Sequence, residues 1–105
     1  MWIYSVTISI NEDIHDSWVN RINADWLPLL NQLTSIHNFR FLRLLSDEHN
    51  GGITYSIQVE VKGEKEANEF EADFDIKLMN PLYKEFPKQF MEFRTLLAVL
   101  VTKQQ

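Results

Sequence analysis

Two arginines interrupt apolar, strand-like runs of this chain: Arg43 in "RFLRLL" and Arg94 in "MEFRTLLAVL". A guanidinium is a planar fork of donors that grips a carboxylate through two parallel hydrogen bonds. Two such forks opening into one partly closed space make a carboxylate site. Glu92 lies two residues before Arg94, so on a strand both project to the same side. Thr7, Ser56 and Gln58 add neutral donors and acceptors. The expected ligand-binding set is therefore Arg43, Arg94, Ser56, Gln58, Thr7 and Glu92. The competing structural use pairs Arg94 with Glu92 or Glu60, and Arg43 with an acid from a second molecule, because a buried arginine requires a partner in any case.

Other chemistries find less support. His15 beside Asp16 offers an oriented imidazole of the general-base kind, but adjacent positions on a helix do not face one another. The three histidines, at 15, 37 and 49, lack the i, i+4 spacing of a metal pair, and no metal or cofactor is expected. Gly51 and Gly52 precede a strand rather than a helix, unlike a phosphate loop, and there is no G-x-S-x-G nucleophile turn. Only Glu60, Glu92 and Tyr4 are available for proton transfer, so no catalytic residue is assigned.

Bulk properties narrow the class. The chain has 105 residues, 45% hydrophobic and 24% charged, and reads as a single domain over 1–105. A net charge of −5 with no basic stripe argues against nucleic acid. No apolar run is long enough to span a membrane. There are no cysteines, which excludes disulfides and thiol chemistry. Met1 opens directly into "WIYSVTISI" without a basic leader, and the expected location is cytoplasmic.

The elements that must position these groups follow from periodicity. Residues 1–10 alternate, with Tyr4, Val6, Ile8 and Ile10 against Ser5, Thr7 and Ser9, which marks a half-buried strand. Asn11 or Asp13 supplies a cap. Ile14, Trp18, Ile22, Trp26, Leu29 and Leu33 then form a helical stripe, and Pro28 predicts a kink near Trp26 and Leu27. Residues 38–45 and "ITYSIQVEV" alternate about an "NGG" turn, a β-hairpin. A second helix follows Gly63 with Ala67, Phe70, Phe74, Leu78 and Leu82 inward, and is interrupted at Asn80-Pro81. A last strand covers about 88–101.

The order βαββαβ specifies an α+β, ferredoxin-like sandwich: a four-stranded antiparallel sheet with two helices on one face. The helix side is expected to receive Val6, Ile8, Ile10, Leu42, Leu44, Tyr55, Ile57, Val59, Phe93, Leu97 and Val99. The open side receives Ser5, Thr7, Ser9, Arg43, Thr54, Ser56, Gln58, Glu60, Glu92 and Arg94. The end of the last strand is apolar on both sides and needs cover on both. Leu96, Ala98 and Leu100 are accordingly expected at a homodimer interface. An RNA-recognition reading shares the strand order, but it needs aromatic residues such as Tyr4 and Tyr55 on the open face.

Five blocks in order, "IYSVTISI", "IHDSW", "RFLRLL", "GGITYSIQ" and "FRTLL", resemble an uncharacterised bacterial family, a domain of unknown function of the dimeric ferredoxin-like α/β-barrel type. The resemblance implies two sheets facing each other around an enclosed space, with no agreed substrate. Relatives often carry a histidine two residues before the proline of the first helix. That place is Trp26 here, so histidine chemistry does not carry over. The expected function is a small homodimer binding a small molecule or partner between its sheets. The alternatives are a cofactor-independent enzyme, monooxygenase-like or isomerase-like, and a purely structural or regulatory assembly domain.

Overall fold

The computed structural model describes residues 1–45 and 52–103. The alternating first segment forms β1 (Trp2–Asn11), which pairs antiparallel with β3 (Gly52–Val61) on one side and β4 (Phe90–Ala98) on the other. β2 (Asn38–Arg43) adds antiparallel to the outer side of β3, giving the order β2-β3-β1-β4. This is the expected α+β, ferredoxin-like sheet. Of the "NGG" turn expected for the β2–β3 hairpin, Asn50 and Gly51 lie outside the described residues and Gly52 begins β3. The pairing it would join is present, from Asn38 opposite Glu60 to Arg43 opposite Tyr55.

Asn11 accepts from the Asp13 amide and caps the single 3-10 turn Glu12–Ile14 that leads into the first helix. Two kinked helices cover one face of the sheet. The first runs as α1 (His15–Arg21), a π turn over Ile22–Trp26, and α2 (Leu27–Gln32). The second repeats the plan as α3 (Glu64–Phe74), a π turn over Asp75–Met79, and α4 (Asn80–Glu85). Each π turn ends two residues before a proline, Pro28 or Pro81, where the kinks were expected.

The buried positions explain these turns. Trp18, Ile22, Trp26 and Leu30 are buried at steps of four, as are Phe70, Phe74, Leu78 and Leu82. In a regular α-helix a step of four drifts about 40° around the axis, which carries the stripe off the core within three steps. One extra residue in a wider turn removes that drift. The Leu27 amide accordingly reaches back five residues to the Ile22 carbonyl, and the Asn80 amide to Asp75. Because of this phase shift Leu30, rather than the expected Leu29, is the buried leucine of α2.

Rings fill the space between helices and sheet. Trp26 meets Trp18 edge-on at 5.9 Å and Phe74 at 5.2 Å, and Tyr4 packs edge-on against Phe70 at 5.4 Å. Tyr4 and Tyr55 both point into this core, so the open face lacks the aromatic pair of an RNA platform. Among the described residues, no helix is long and apolar enough to cross a membrane.

The central strands have the expected faces, whereas both edge strands are turned over. Across the helix side run the rows Arg43–Tyr55–Ile8–Glu92 and Phe41–Ile57–Val6–Arg94. Arg43, Glu92 and Arg94 therefore lie on the helix side, and Leu42, Leu44, Phe93 and Leu97 on the open side, the reverse of the sequence-based expectation. The reason is local. At a sheet edge the helices give only partial cover, so a long charged side chain on that side reaches the rim and finds partners there. Polarity on an edge strand does not identify the face turned away from the core.

Candidate functional site

The open face is organised in rows that cross all four strands. Leu44–Thr54–Ser9–Met91 is followed by Leu42–Ser56–Thr7–Phe93, then Arg40–Gln58–Ser5–Thr95, then Asn38–Glu60–Ile3–Leu97. In the first two rows small hydroxyl residues occupy the central strands and larger apolar residues the edges. The result is a trough with a hydroxyl floor and greasy walls. Met91 is 77% exposed, Phe93 66% and Leu44 50%, although each lies on a paired or nearly paired segment of the sheet.

The floor is ordered by its own hydrogen bonds. Ser9 and Thr54 hydroxyls approach to 3.2 Å, Ser5 and Ser56 to 3.5 Å, and Arg40 Nη2 donates to Gln58 Oε1 at 3.0 Å. The Thr7 hydroxyl has no side-chain partner among the described residues. A cavity of about 350 Å³ lies at one end, lined by Thr7, Ser9, Leu44, Thr54, Met91, Glu92 and Phe93. That volume is within the range of small-molecule sites.

Of the sequence-predicted ligand set, Thr7, Ser56 and Gln58 share the open face. Arg43, Arg94 and Glu92 do not. The two arginines occupy opposite edge strands on the far side of the sheet, about 14 Å apart across three inter-strand spacings. They cannot close on one carboxylate in a space between sheets. Arg40, which the sequence reading passed over, is the arginine on the open face.

Arg94 instead holds the β4 edge to α3. Its Nε donates to Glu92 Oε1 at 2.6 Å and its Nη2 to Asp75 Oδ1 at 2.5 Å, while Nη1 lies 3.4 Å from the Tyr4 hydroxyl. The guanidinium also sits 5.5 Å from the centre of the Phe74 ring. Tyr4 donates to Glu71, and Tyr83 donates to the second oxygen of Glu92 at 2.6 Å. Burial acting alone lowers the pKa of Arg94, but the bonds to Asp75 and Glu92 more than reverse this and raise it. The Tyr4 phenol is pushed up to about 12, by burial first and then by Glu71, against the pull of Arg94. The Tyr83 phenol also rises to about 12, through burial and then Glu92. Asp75 opens the second π turn, so the same distortion that keeps the stripe inward also presents this carboxylate to Arg94.

A second cluster surrounds Tyr55. Its hydroxyl lies 2.7 Å from His15 Nε2, and His15 Nδ1 lies 3.2 Å from Asp16 Oδ1. Trp18 and Phe41 stack on the Tyr55 ring, with the Arg43 guanidinium 6.0 Å from its centre. The sequence reading weighed His15 with Asp16 but missed Tyr55, which the fold supplies from 40 residues away. Among the described residues, no group of three or more histidine, aspartate or glutamate side chains is placed to hold a metal ion.

A domain of unknown function, DUF4286, matches residues 1–100. The chain belongs to this family. No curated protein matches the DUF4286 chain. Solved structures similar to it include two dimeric ferredoxin-like proteins from uncultured marine organisms. The first has a TM-score of 0.71 at 12% identity and covers 100% of both chains. The second has 0.66 at 12%, covering 96% of this chain and 98% of that one. HapK from Hahella chejuensis is similar at TM-score 0.69 and 15% identity, covering 100% and 98%. At these identities the likeness to the DUF4286 chain is one of fold.

Proposed function

We propose that the chain acts as a homodimer whose two open sheet faces meet and enclose the hydroxyl-floored trough as a binding chamber for a small molecule, in a cytoplasmic setting. The supporting observation is the exposed rim of Met91, Phe93, Leu97, Leu42 and Leu44 on a sheet face with no helices of its own. An apolar patch of this kind marks an interaction surface. A two-fold partner presents the same rim and the same floor. The relatives described as dimeric ferredoxin-like proteins point the same way. Leu96 and Ala98, expected at this interface, lie instead on the helix side with Tyr4 and Trp2, because β4 is turned over, and Leu100 lies beyond the end of β4. Leu97 is the residue of that apolar end that joins the open-face rim.

Thr7, Ser56 and Gln58 are the ligand-facing groups in this reading. An enzyme would draw on Asp16, His15 and Tyr55, but the Tyr55 phenol is buried between Trp18 and Phe41 on the opposite side of the sheet. Binding is therefore the better fit to the chamber. Light scattering at increasing concentration tests the assembly. Wild type is expected at twice the mass of the 12.4 kDa chain. The Phe93→Asp variant, folded by circular dichroism, is expected to be monomeric. A monomeric wild type, or a Phe93→Asp dimer as tight as wild type, overturns the proposal.

A further inference from the structure

The trough is unusual in carrying no charge. Its two hydroxyl rows contain Leu44, Thr54, Ser9 and Met91, then Leu42, Ser56, Thr7 and Phe93, and no ionisable side chain. Glu92 also borders the cavity, yet both of its carboxylate oxygens are taken, one by Arg94 and one by Tyr83. Arg40 is one row further along and is held by Gln58. A charged ligand enclosed here would lose its hydration without gaining a counter-charge, a heavy penalty in a closed apolar space. A pure hydrocarbon would strip water from the Thr7 hydroxyl and offer it no hydrogen bond in return.

From this geometry we infer that the chamber takes an uncharged, mostly apolar small molecule bearing a hydroxyl or carbonyl group. Its flat apolar body lies between Phe93, Met91 and Leu44, and its polar group bonds to the Thr7 hydroxyl. Phe93 and Thr7 are directly opposite in the β1–β4 register, so one ligand can touch ring and hydroxyl together. The approximately 350 Å³ of the cavity accommodates a two-ring compound. The inference rests on the chamber proposed above and specifies what it selects.

The test compares three probes of one shape: 2-naphthol, 2-naphthoate and naphthalene, added at equal concentration to the full-length protein at neutral pH. Backbone amide NMR shifts are read at Thr7, Ser9 and Met91–Phe93, with light scattering on the same samples. 2-Naphthol is expected to bind more tightly than the other two, and Thr7→Val to weaken it by about fivefold, the effect of one neutral hydrogen bond. Preference for 2-naphthoate, 2-naphthol shifts centred elsewhere, or an unchanged affinity in Thr7→Val overturns the inference. A dimer that fails this selectivity refutes the ligand class alone. A monomer that shows it refutes the enclosing dimer alone.

Discussion

Replacing Arg94 with methionine tests how the β4 edge is held. The side chain is 22% exposed and bonded to Glu92, whose own side chain is only 9% exposed. Methionine keeps the apolar stem over Phe74 but leaves Glu92 with Tyr83 as its remaining partner. A nearly buried carboxylate stripped of its cation loses roughly 2 kcal/mol, within the range for charged hydrogen bonds. Asp75 and Glu71 are 38% and 48% exposed and rehydrate, so together they add about 1 kcal/mol. The expected loss is about 3 kcal/mol in urea unfolding at neutral pH, read from the midpoint with an unchanged slope. Adding Glu92→Gln to Arg94→Met removes the stranded charge and is expected to recover about half of it, the coupling that a double-mutant cycle isolates. A loss below about 1 kcal/mol, or no recovery from Glu92→Gln, would show that these charges are hydrated, and the argument for a desolvated edge cluster would fail.

Two further outcomes follow from the same geometry. Tyr4 and Tyr83 keep their protons to about pH 12 in the folded chain, whereas an unfolded tyrosine ionises near 10. The folded state therefore binds more protons in this window, and the stability these phenols contribute is complete below about pH 10 and declines from there toward about 12. Tyrosinate absorbance should show two phenols titrating late, and Tyr4→Phe should remove one of them; two ordinary titrations would contradict the network. At the second kink, Pro81→Ala should lower stability by about 0.4–1 kcal/mol through the freer unfolded chain while the π turn persists. Reversion of Asp75–Met79 to a regular α-helix, seen in a crystal structure of that variant, would show that proline rather than the apolar stripe sets the turn.

The faces of β1 and β3 and the two helices were legible because each rests on a period, two for the central strands and three to four for the helical stripes, and both kinks because a proline, Pro28 or Pro81, marks each. The faces of β2 and β4 were not. "FRFLR" alternates aromatic and basic residues with leucine, and the helix side took Phe39, Phe41 and Arg43 together. On β4 it took Glu92 and Arg94. Reading charge as solvent-facing works for a central strand, where only one side meets water, and fails at an edge. The signal that identifies Arg94's surroundings was nevertheless present: Glu71 and Asp75 are spaced four apart on the rim of a helix that must pass over β4. The hydroxyl stripe was legible as polarity. Its apolar walls appeared only once the edge strands were turned over.

The arginines of the edge strands bear on how copies of the sheet can meet. Arg40 and Arg43 sit on β2 and Arg94 on β4, the two edge strands of the sheet formed by the described residues. Bulky, charged side chains along such borders discourage another strand from adding alongside. In the dimer proposed above, copies of this chain would stack broadside, and these charges would disfavour edge-to-edge growth into a continuous ribbon.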